Sequence, residues 1–127
     1  MPFPDPASLP DALITHAFGI TAASAATELI CAHGDWLADP GFTGGCIAAG
    51  THHGGQPYAC IRWEEAITAL DDRQISLSGS ADNILRIAAS LADHTIPVYL
   101  ARCLGNLDHA NIRLVTTAIT RANGTRA

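Results

Sequence analysis

Two cysteines and two adjacent histidines in the first half of the chain are residue types that bind zinc. They are Cys46, His52, His53 and Cys60. Zinc binds two thiolates and two imidazoles in a tetrahedron, and two strands joined by a loop can bring such ligands together. However, the spacing lacks the close Cys-x2-Cys pair of zinc ribbons, and adjacent residues of a strand point to opposite sides. We therefore predict no metal and keep a small zinc-stapled domain as a weaker alternative.

Residues that suit an enzyme give weaker signals. A thiol or hydroxyl nucleophile beside a histidine can be assembled from any chain that holds six histidines and four cysteines, so such a pair is uninformative. Glu64 and Glu65 offer a general base, but neighbours at the start of a helix point apart and stabilise its dipole. The glycine pairs at 44–45 and 54–55 are not followed by the Lys-Ser/Thr of a phosphate loop. We expect neither catalysis nor a cofactor, and an enzyme stays a third alternative.

The composition is that of a globular protein, and its negative charge is concentrated in residues 1–80. Hydrophobic residues make up 48% of the 127 residues, and the net charge is −5. Residues 1–80 hold nine acids and two arginines, a balance of −7, whereas residues 81–127 hold five arginines and three aspartates, a balance of +2. Non-specific affinity for phosphate needs a net positive charge, so the whole molecule is a poor general nucleic-acid binder. The C-terminal part by itself has a positive balance and could bind to an acidic surface of a partner.

The sequence also predicts where the protein acts. No apolar run reaches the roughly 18–20 residues that span a bilayer, so we expect no membrane partner. The N-terminus, MPFPDPASLPD, has four prolines and lacks the basic segment of a secretory signal. We therefore predict a cytoplasmic protein whose four cysteines are reduced thiols.

Apolar periodicity and turn signals predict an α+β fold, mostly helical, in a single domain of residues 1–127. An extended lead-in covers residues 1–7, a helical and hairpin part covers 8–79, and a C-terminal helical unit covers 80–124. The predicted elements before the C-terminal unit are helices over 9–18 and 21–33, strands over 42–49 and 58–63, and a helix over 63–72.

Three helices in succession are predicted for the C-terminal unit. Ser80 or Asp82 caps the first, Pro97 opens the short second one, and Asp108 caps the third. Gly105 ends the second helix in the left-handed conformation. The apolar residues at helical spacing across the chain predict a core of Leu29, Ile61, Trp63, Ile67, Ile84, Ile87, Leu91, Leu104, Ile112, Val115 and Ile119.

The glycine between the last two helices invites comparison with a helix-turn-helix DNA reader. Ala101 lies four residues before Gly105, where such motifs need a small side chain, but the apolar position after the turn comes one residue late, at Ile112. The outward face of the last helix carries side chains that suit a protein partner, or phosphates and bases. These predicted site residues are His109, Arg113, Thr116, Thr117, Thr120 and Arg121.

Three stretches of the C-terminal half carry a resemblance. They are LRIAASLA at 85–92, Pro97-Val98, and the pattern LDxxNxxLV at 107–115. Together they resemble a group of small proteins from high-GC bacteria to which no function is assigned. The likeness covers residues 63–124, roughly half of the chain. It implies that the C-terminal unit is a genuine module, and it implies no activity.

From these observations we predict a non-catalytic binding module, a small regulator or adaptor that acts on a protein partner. The alternative is a helix-turn-helix-like, sequence-specific DNA-binding regulator. The acidic charge balance favours the protein partner, because a DNA reader needs a basic surface. The sequence also allows a homo-oligomer.

Overall fold

The computed structural model describes residues 7–51, 54–55 and 57–124. Within them lie seven helices and one antiparallel pair of strands, so the predicted α+β fold is confirmed. None of these helices is long and apolar enough to cross a membrane. Residues 1–6 of the predicted lead-in lie outside the described residues. The elements are α1 (Leu9–Ala17), α2 (Thr21–His33), α3 (Pro40–Gly45), β1 (Ile47–Thr51), β2 (Pro57–Ile61), α4 (Trp63–Asp71), α5 (Gly79–Ala92), α6 (Leu100–Leu104) and α7 (His109–Ala122).

The first predicted strand, 42–49, is wrong over its first half, which is the short helix α3. The side chain of Asp39 accepts a 2.9 Å hydrogen bond from the backbone N–H of Phe42, and Pro40 occupies the first helical position. An aspartate cap followed by proline is a strong start signal for a helix. The strand therefore begins only at Ile47, which pairs with Ile61 of β2.

Helix α2 lies at the centre of the packing. It packs against α1, α5 and α7, and α1 in turn packs against β2. Its buried face includes Ala25 and Ala26, whose small side chains let neighbouring helices approach closely. Residues of the 8–79 part and of the 80–124 part belong to one hydrophobic core. The two parts therefore stabilise each other.

Trp36 joins the two parts directly. Its side chain is fully buried, and its indole N–H donates a 2.7 Å hydrogen bond to the backbone carbonyl of Ala81 in α5. The ring also packs against Phe42 at a centroid distance of 5.5 Å. Leaving a buried donor without a partner costs about 1–3 kcal/mol, so this bond fixes where the loop after α2 meets α5.

Helix α5 begins at Gly79, two residues earlier than a Ser80 cap predicts and four earlier than an Asp82 cap predicts, and Ser78 is its cap. The Ser78 hydroxyl accepts a 3.1 Å hydrogen bond from the N–H of Ala81. The two predicted caps have other roles. The Asp82 carboxylate accepts a hydrogen bond from the N–H of Leu77, which holds the segment before the helix. Ser80 lies next to α7, where its hydroxyl accepts a 2.6 Å hydrogen bond from the side-chain amide of Asn111.

The junction between α6 and α7 differs from the prediction at one end and agrees at the other. Helix α6 starts at Leu100, three residues after Pro97. Gly105 has φ −62°, so the predicted left-handed cap is wrong; its N–H bonds to the carbonyl of Ala101 and continues the right-handed turn. Asp108 caps α7 as predicted, because its carboxylate accepts a 2.8 Å hydrogen bond from the N–H of Asn111.

The buried side of α7 is rotated relative to the predicted stripe. Val115 and Ala118 are buried, whereas Ile119 is 45% exposed, so its place in the core was wrong. Ala118 faces α2 because its small side chain lets the two helices come together. Ile112 is half-buried. Of the other predicted core residues, those partly buried against the core are Trp63, Ile67, Leu91 and Leu104.

The end of α4 holds a non-glycine residue in a conformation that glycine usually adopts. Arg73 has φ 60°. Its N–H bonds to the carbonyl of Leu70 at 3.1 Å, and the N–H of Gln74 bonds to the carbonyl of Ala69 at 2.8 Å. This pair of bonds is the Schellman motif, in which the residue at the Arg73 position must be left-handed.

We expect Val115→Ala to lower the free energy of unfolding by about 1–3 kcal/mol, because the shorter side chain leaves a cavity in the core. Ile119→Ala is the matched control, since it removes a larger side chain that is 45% exposed. Ile119→Ala should lower the free energy of unfolding by less than Val115→Ala does. Urea denaturation of both variants measures the difference. A larger loss at Ile119 would contradict the rotation of α7.

We expect Arg73→Gly to raise the free energy of unfolding by about 0.5–1 kcal/mol. A left-handed backbone costs a non-glycine residue about 1–2 kcal/mol, and the greater freedom of glycine in the unfolded chain offsets about 0.5–1 kcal/mol of that gain. Arg73→Ala is the control, because alanine keeps the Cβ atom and should bring no such gain. Equal stability of the two variants would show that the left-handed position carries no strain.

Candidate functional site

The six predicted site residues lie on two adjoining sides of α7. His109, Arg113, Thr116 and Thr120 follow one another at helical spacing, and we call these four residues the outer strip. Thr117 and Arg121 lie on the side that faces α2, where both line a cavity. All six are on one helix, but they do not form one surface.

Hydroxyl groups of the outer strip are hydrogen-bonded within α7. The hydroxyl of Thr116 donates to the carbonyl of Ile112 at 2.8 Å, and that of Thr120 donates to the carbonyl of Thr116 at 3.0 Å. Each hydroxyl oxygen can still accept a hydrogen bond from a ligand. Arg113 is exposed and makes no ion pair with any described residue. The outer strip therefore offers one free guanidinium among acceptors.

Arg121 is already paired. Its guanidinium lies 2.8 Å from the carboxylate of Glu28 on α2, and the hydroxyl of Ser24 donates to the same carboxylate at 3.2 Å. A half-exposed ion pair of this kind contributes about 0–1 kcal/mol to stability. The pair joins α2 to α7 at one edge of the cavity.

The cavity beside this ion pair, which we call the α2–α7 cleft, has a volume of about 390 Å³. Pockets that hold small ligands or partner side chains start at about 300 Å³. Alanines on both helices leave the space open, and Glu28, Cys31, Thr117 and Arg121 supply its polar groups. The apolar lining consists of Ile14, Ala25, Leu29, Ala32, Leu114 and Ala118.

Cys31 is the one thiol in the lining of the cleft. Burial, and then the negative charges of Glu28 and Asp11, raise the pKa of this thiol to about 11. A thiol with that pKa is neutral at physiological pH and is a poor nucleophile and metal ligand. The cleft is therefore suited to binding an apolar group, and its thiol is not suited to catalysis.

The weaker zinc alternative falls partly outside the described residues, because His52 and His53 are not among them. Cys46 is buried, and burial raises the pKa of its thiol. Cys60 lies in β2 opposite Ala48. In the described ranges, no group of three or more His, Cys, Asp or Glu side chains is placed to hold a metal ion.

Two of the four α7 residues that line the cleft were predicted as site residues, and none of the α2 residues that line it was. Thr117 and Arg121 were predicted site residues, whereas Glu28 and Cys31 were not. The available signal was the run of alanines in α2, which indicates close helix packing. It does not say which helix packs there, and Arg121 and Glu28 are 93 positions apart in the chain.

We expect Cys31 to react with iodoacetamide at pH 8 about a hundredfold more slowly in the folded protein than in guanidinium. About a tenth of a thiol with the ordinary pKa of 9.0 is thiolate at that pH, against about a thousandth at a pKa of about 11. Mass spectrometry of the labelled peptide measures the rate. Because the thiol stays protonated to a higher pH in the folded protein than in the unfolded chain, the free energy of unfolding should also fall as the pH rises from 9 toward 11. Equal labelling rates in both states would contradict the placement of Cys31.

Comparisons of the chain with protein-family models, curated proteins and solved structures found no match. The case for function therefore rests on the arrangement of side chains. Two adjoining surfaces meet on α7: the polar outer strip and the apolar α2–α7 cleft, with the Arg121–Glu28 pair at its edge. Together they form the candidate functional site.

Proposed function

We propose that this chain is a non-catalytic binding module, a small regulator or adaptor, that binds an apolar side chain of a protein partner in the α2–α7 cleft. The observation that carries this proposal is the combination of an apolar lining with a polar rim. That combination is the usual anatomy of the centre of a protein interface. A few buried contacts of this kind supply most of the binding energy in such interfaces.

The chemistry of the cleft supports binding over catalysis. Its thiol, Cys31, is held neutral, and its carboxylate, Glu28, accepts hydrogen bonds from Ser24 and Arg121. Neither group is poised as a nucleophile or a general base. The four cysteines are free thiols, which fits the cytoplasmic setting that we propose for the protein.

Sequence-specific DNA binding is the second candidate, because Arg113 is exposed and unpaired among the described residues and lies in the basic C-terminal part. Two observations weaken this candidate. Helix α6 has five residues and packs on α5, while α7 packs mainly on α2, whereas the two helices of a DNA-reading motif pack on each other. In addition, Arg121 already pairs with Glu28.

Two variants that replace an alanine by arginine test the protein-partner proposal. Ala32 is exposed and lines the cleft in the last turn of α2, where a cation is favourable for the helix dipole. Ala32→Arg should therefore leave the fold intact while its side chain occupies the cleft. Ala38→Arg places the same charge at an exposed position that does not line the cleft, and serves as the matched control.

We expect Ala32→Arg to weaken binding of the partner at least about tenfold, because about 1.4 kcal/mol of interface energy is lost with the cleft. Ala38→Arg should bind as the wild type does. The partner is first captured from the native host after nuclease treatment at two salt concentrations, and its affinity is then measured with purified proteins. A nuclease-resistant partner that binds Ala32→Arg normally would contradict the use of the cleft. A DNA site that is lost with Arg113→Ala would favour the second candidate.

A further inference from the structure

A second cavity system lies along the exposed side of α5, away from the α2–α7 cleft. Two adjoining cavities of about 380 and 550 Å³ share Asn83 and Arg86 in their linings. We call them together the α5 groove. One wall comes from the end of α4 and the segment after it, including Arg73, and the other includes Tyr99 and Asn106. Both volumes lie in the range of small-molecule sites.

Positive charge exceeds negative charge in the α5 groove. Its arginines are Arg73, Arg86 and Arg102, and its acids are Asp71 and Asp82, a balance of three against two. The whole chain has a net charge of −5. Asp71 pairs with Arg86 at 2.8 Å.

The carboxylate of Asp82 is also engaged within the protein. It accepts hydrogen bonds from the hydroxyl of Ser76 at 2.6 Å and from the N–H of Leu77 at 3.0 Å. The groove therefore carries a net charge of +1 in an acidic protein. Arg86 is paired with Asp71, so Arg73 and Arg102 are the lining arginines that make no ion pair with the described residues.

Arg73 is the arginine that most strongly indicates a ligand. It occupies the left-handed position at the end of α4, with φ 60°, where glycine would be unstrained. Its guanidinium makes no ion pair or hydrogen bond with the described residues, although the residue lines the larger cavity. A strained residue whose side chain stabilises nothing else in the fold is often placed for binding. In the same cavity Arg86, Asn83 and Asn106 supply further hydrogen-bond donors.

The other end of the groove is suited to a planar apolar group. The ring of Tyr99 is 76% exposed, and the guanidinium carbon of Arg102 lies 5.4 Å from its centroid. Pro97 and Val98 add apolar surface beside it. Aromatic rings and guanidinium planes are the side chains on which bases stack.

We propose that the α5 groove binds a nucleoside phosphate, with the base stacked at Tyr99 and the phosphate held by Arg73 and Arg86. A phosphate has several charged oxygens and matches the forked donors of two arginines and the amides of Asn83 and Asn106. A carboxylate would use only part of this donor set. The site shares no residue with the α2–α7 cleft, so a test of this proposal does not depend on whether the protein-partner proposal is correct.

Binding of AMP, adenosine and inorganic phosphate to the full chain tests this proposal, measured by two-dimensional NMR or calorimetry. We expect AMP to bind at least about tenfold more tightly than adenosine, because charge-assisted hydrogen bonds are lost with the phosphate. Tyr99→Ala should weaken the binding of AMP and leave the affinity for inorganic phosphate unchanged. Arg73→Gly should weaken the binding of AMP about fivefold or more, because it removes the guanidinium. The melting temperature should rise at the same time, because glycine adopts the left-handed conformation without strain.

Arg113→Ala is the matched control, because it removes an exposed, unpaired arginine outside the groove and should leave AMP binding unchanged. The rise in melting temperature separates loss of the ligand contact from loss of the fold. Equal affinities for AMP and adenosine, normal AMP binding by Arg73→Gly, or no detectable AMP binding at millimolar concentrations would each overturn the proposal. Tighter binding of a single-stranded oligonucleotide than of AMP would also overturn it, in favour of a nucleic-acid surface.

Discussion

The position of α2 at the centre of the core is the constraint on which the rest of the structure depends. Its buried residues include Ala25, Ala26, Leu29 and Ile30, and three other helices pack around it. A helix covered on several sides needs small side chains where neighbours cross and larger ones where they fill space. The alanines and branched residues of α2 meet both needs. Through it, the α1 and β2 layer and the α5 and α7 pair share one core.

The same packing creates the candidate site. Where α7 crosses α2, the alanines leave an open cleft, and the Arg121–Glu28 pair fixes its edge. The outer strip of α7 then faces solvent beside the cleft. Helix α5 supplies both buried residues such as Ile84 and the half-buried Arg86 of its groove, whose lining shares no residue with the cleft. One helical scaffold therefore presents an apolar surface and a basic surface that are separate.

Local hydrogen bonds explain which elements were predictable. Gly34 ends α2 with φ 86°, and its N–H bonds to the carbonyl of Ile30. Asp108 caps α7 through Asn111. Such bonds join residues three or four positions apart, so the sequence alone carries their signal. The error at 40–45 has the same origin, because the Asp39–Pro40 pair fits both a turn and the start of a helix, and only the bond to Phe42 decides between them.

The sequence by itself determined the fold class and the existence of three C-terminal helices. Of the α7 residues that line the cleft, it indicated Thr117 and Arg121 but not Leu114 and Ala118. The tertiary structure alone decided the rotation of α7, because its packing against α2 and α5 places Val115 and Ala118 inward and leaves Ile119 45% exposed. It also decided the α2 half of the cleft. Glu28 and Arg121 are 93 positions apart, and no local pattern specifies a contact over that separation.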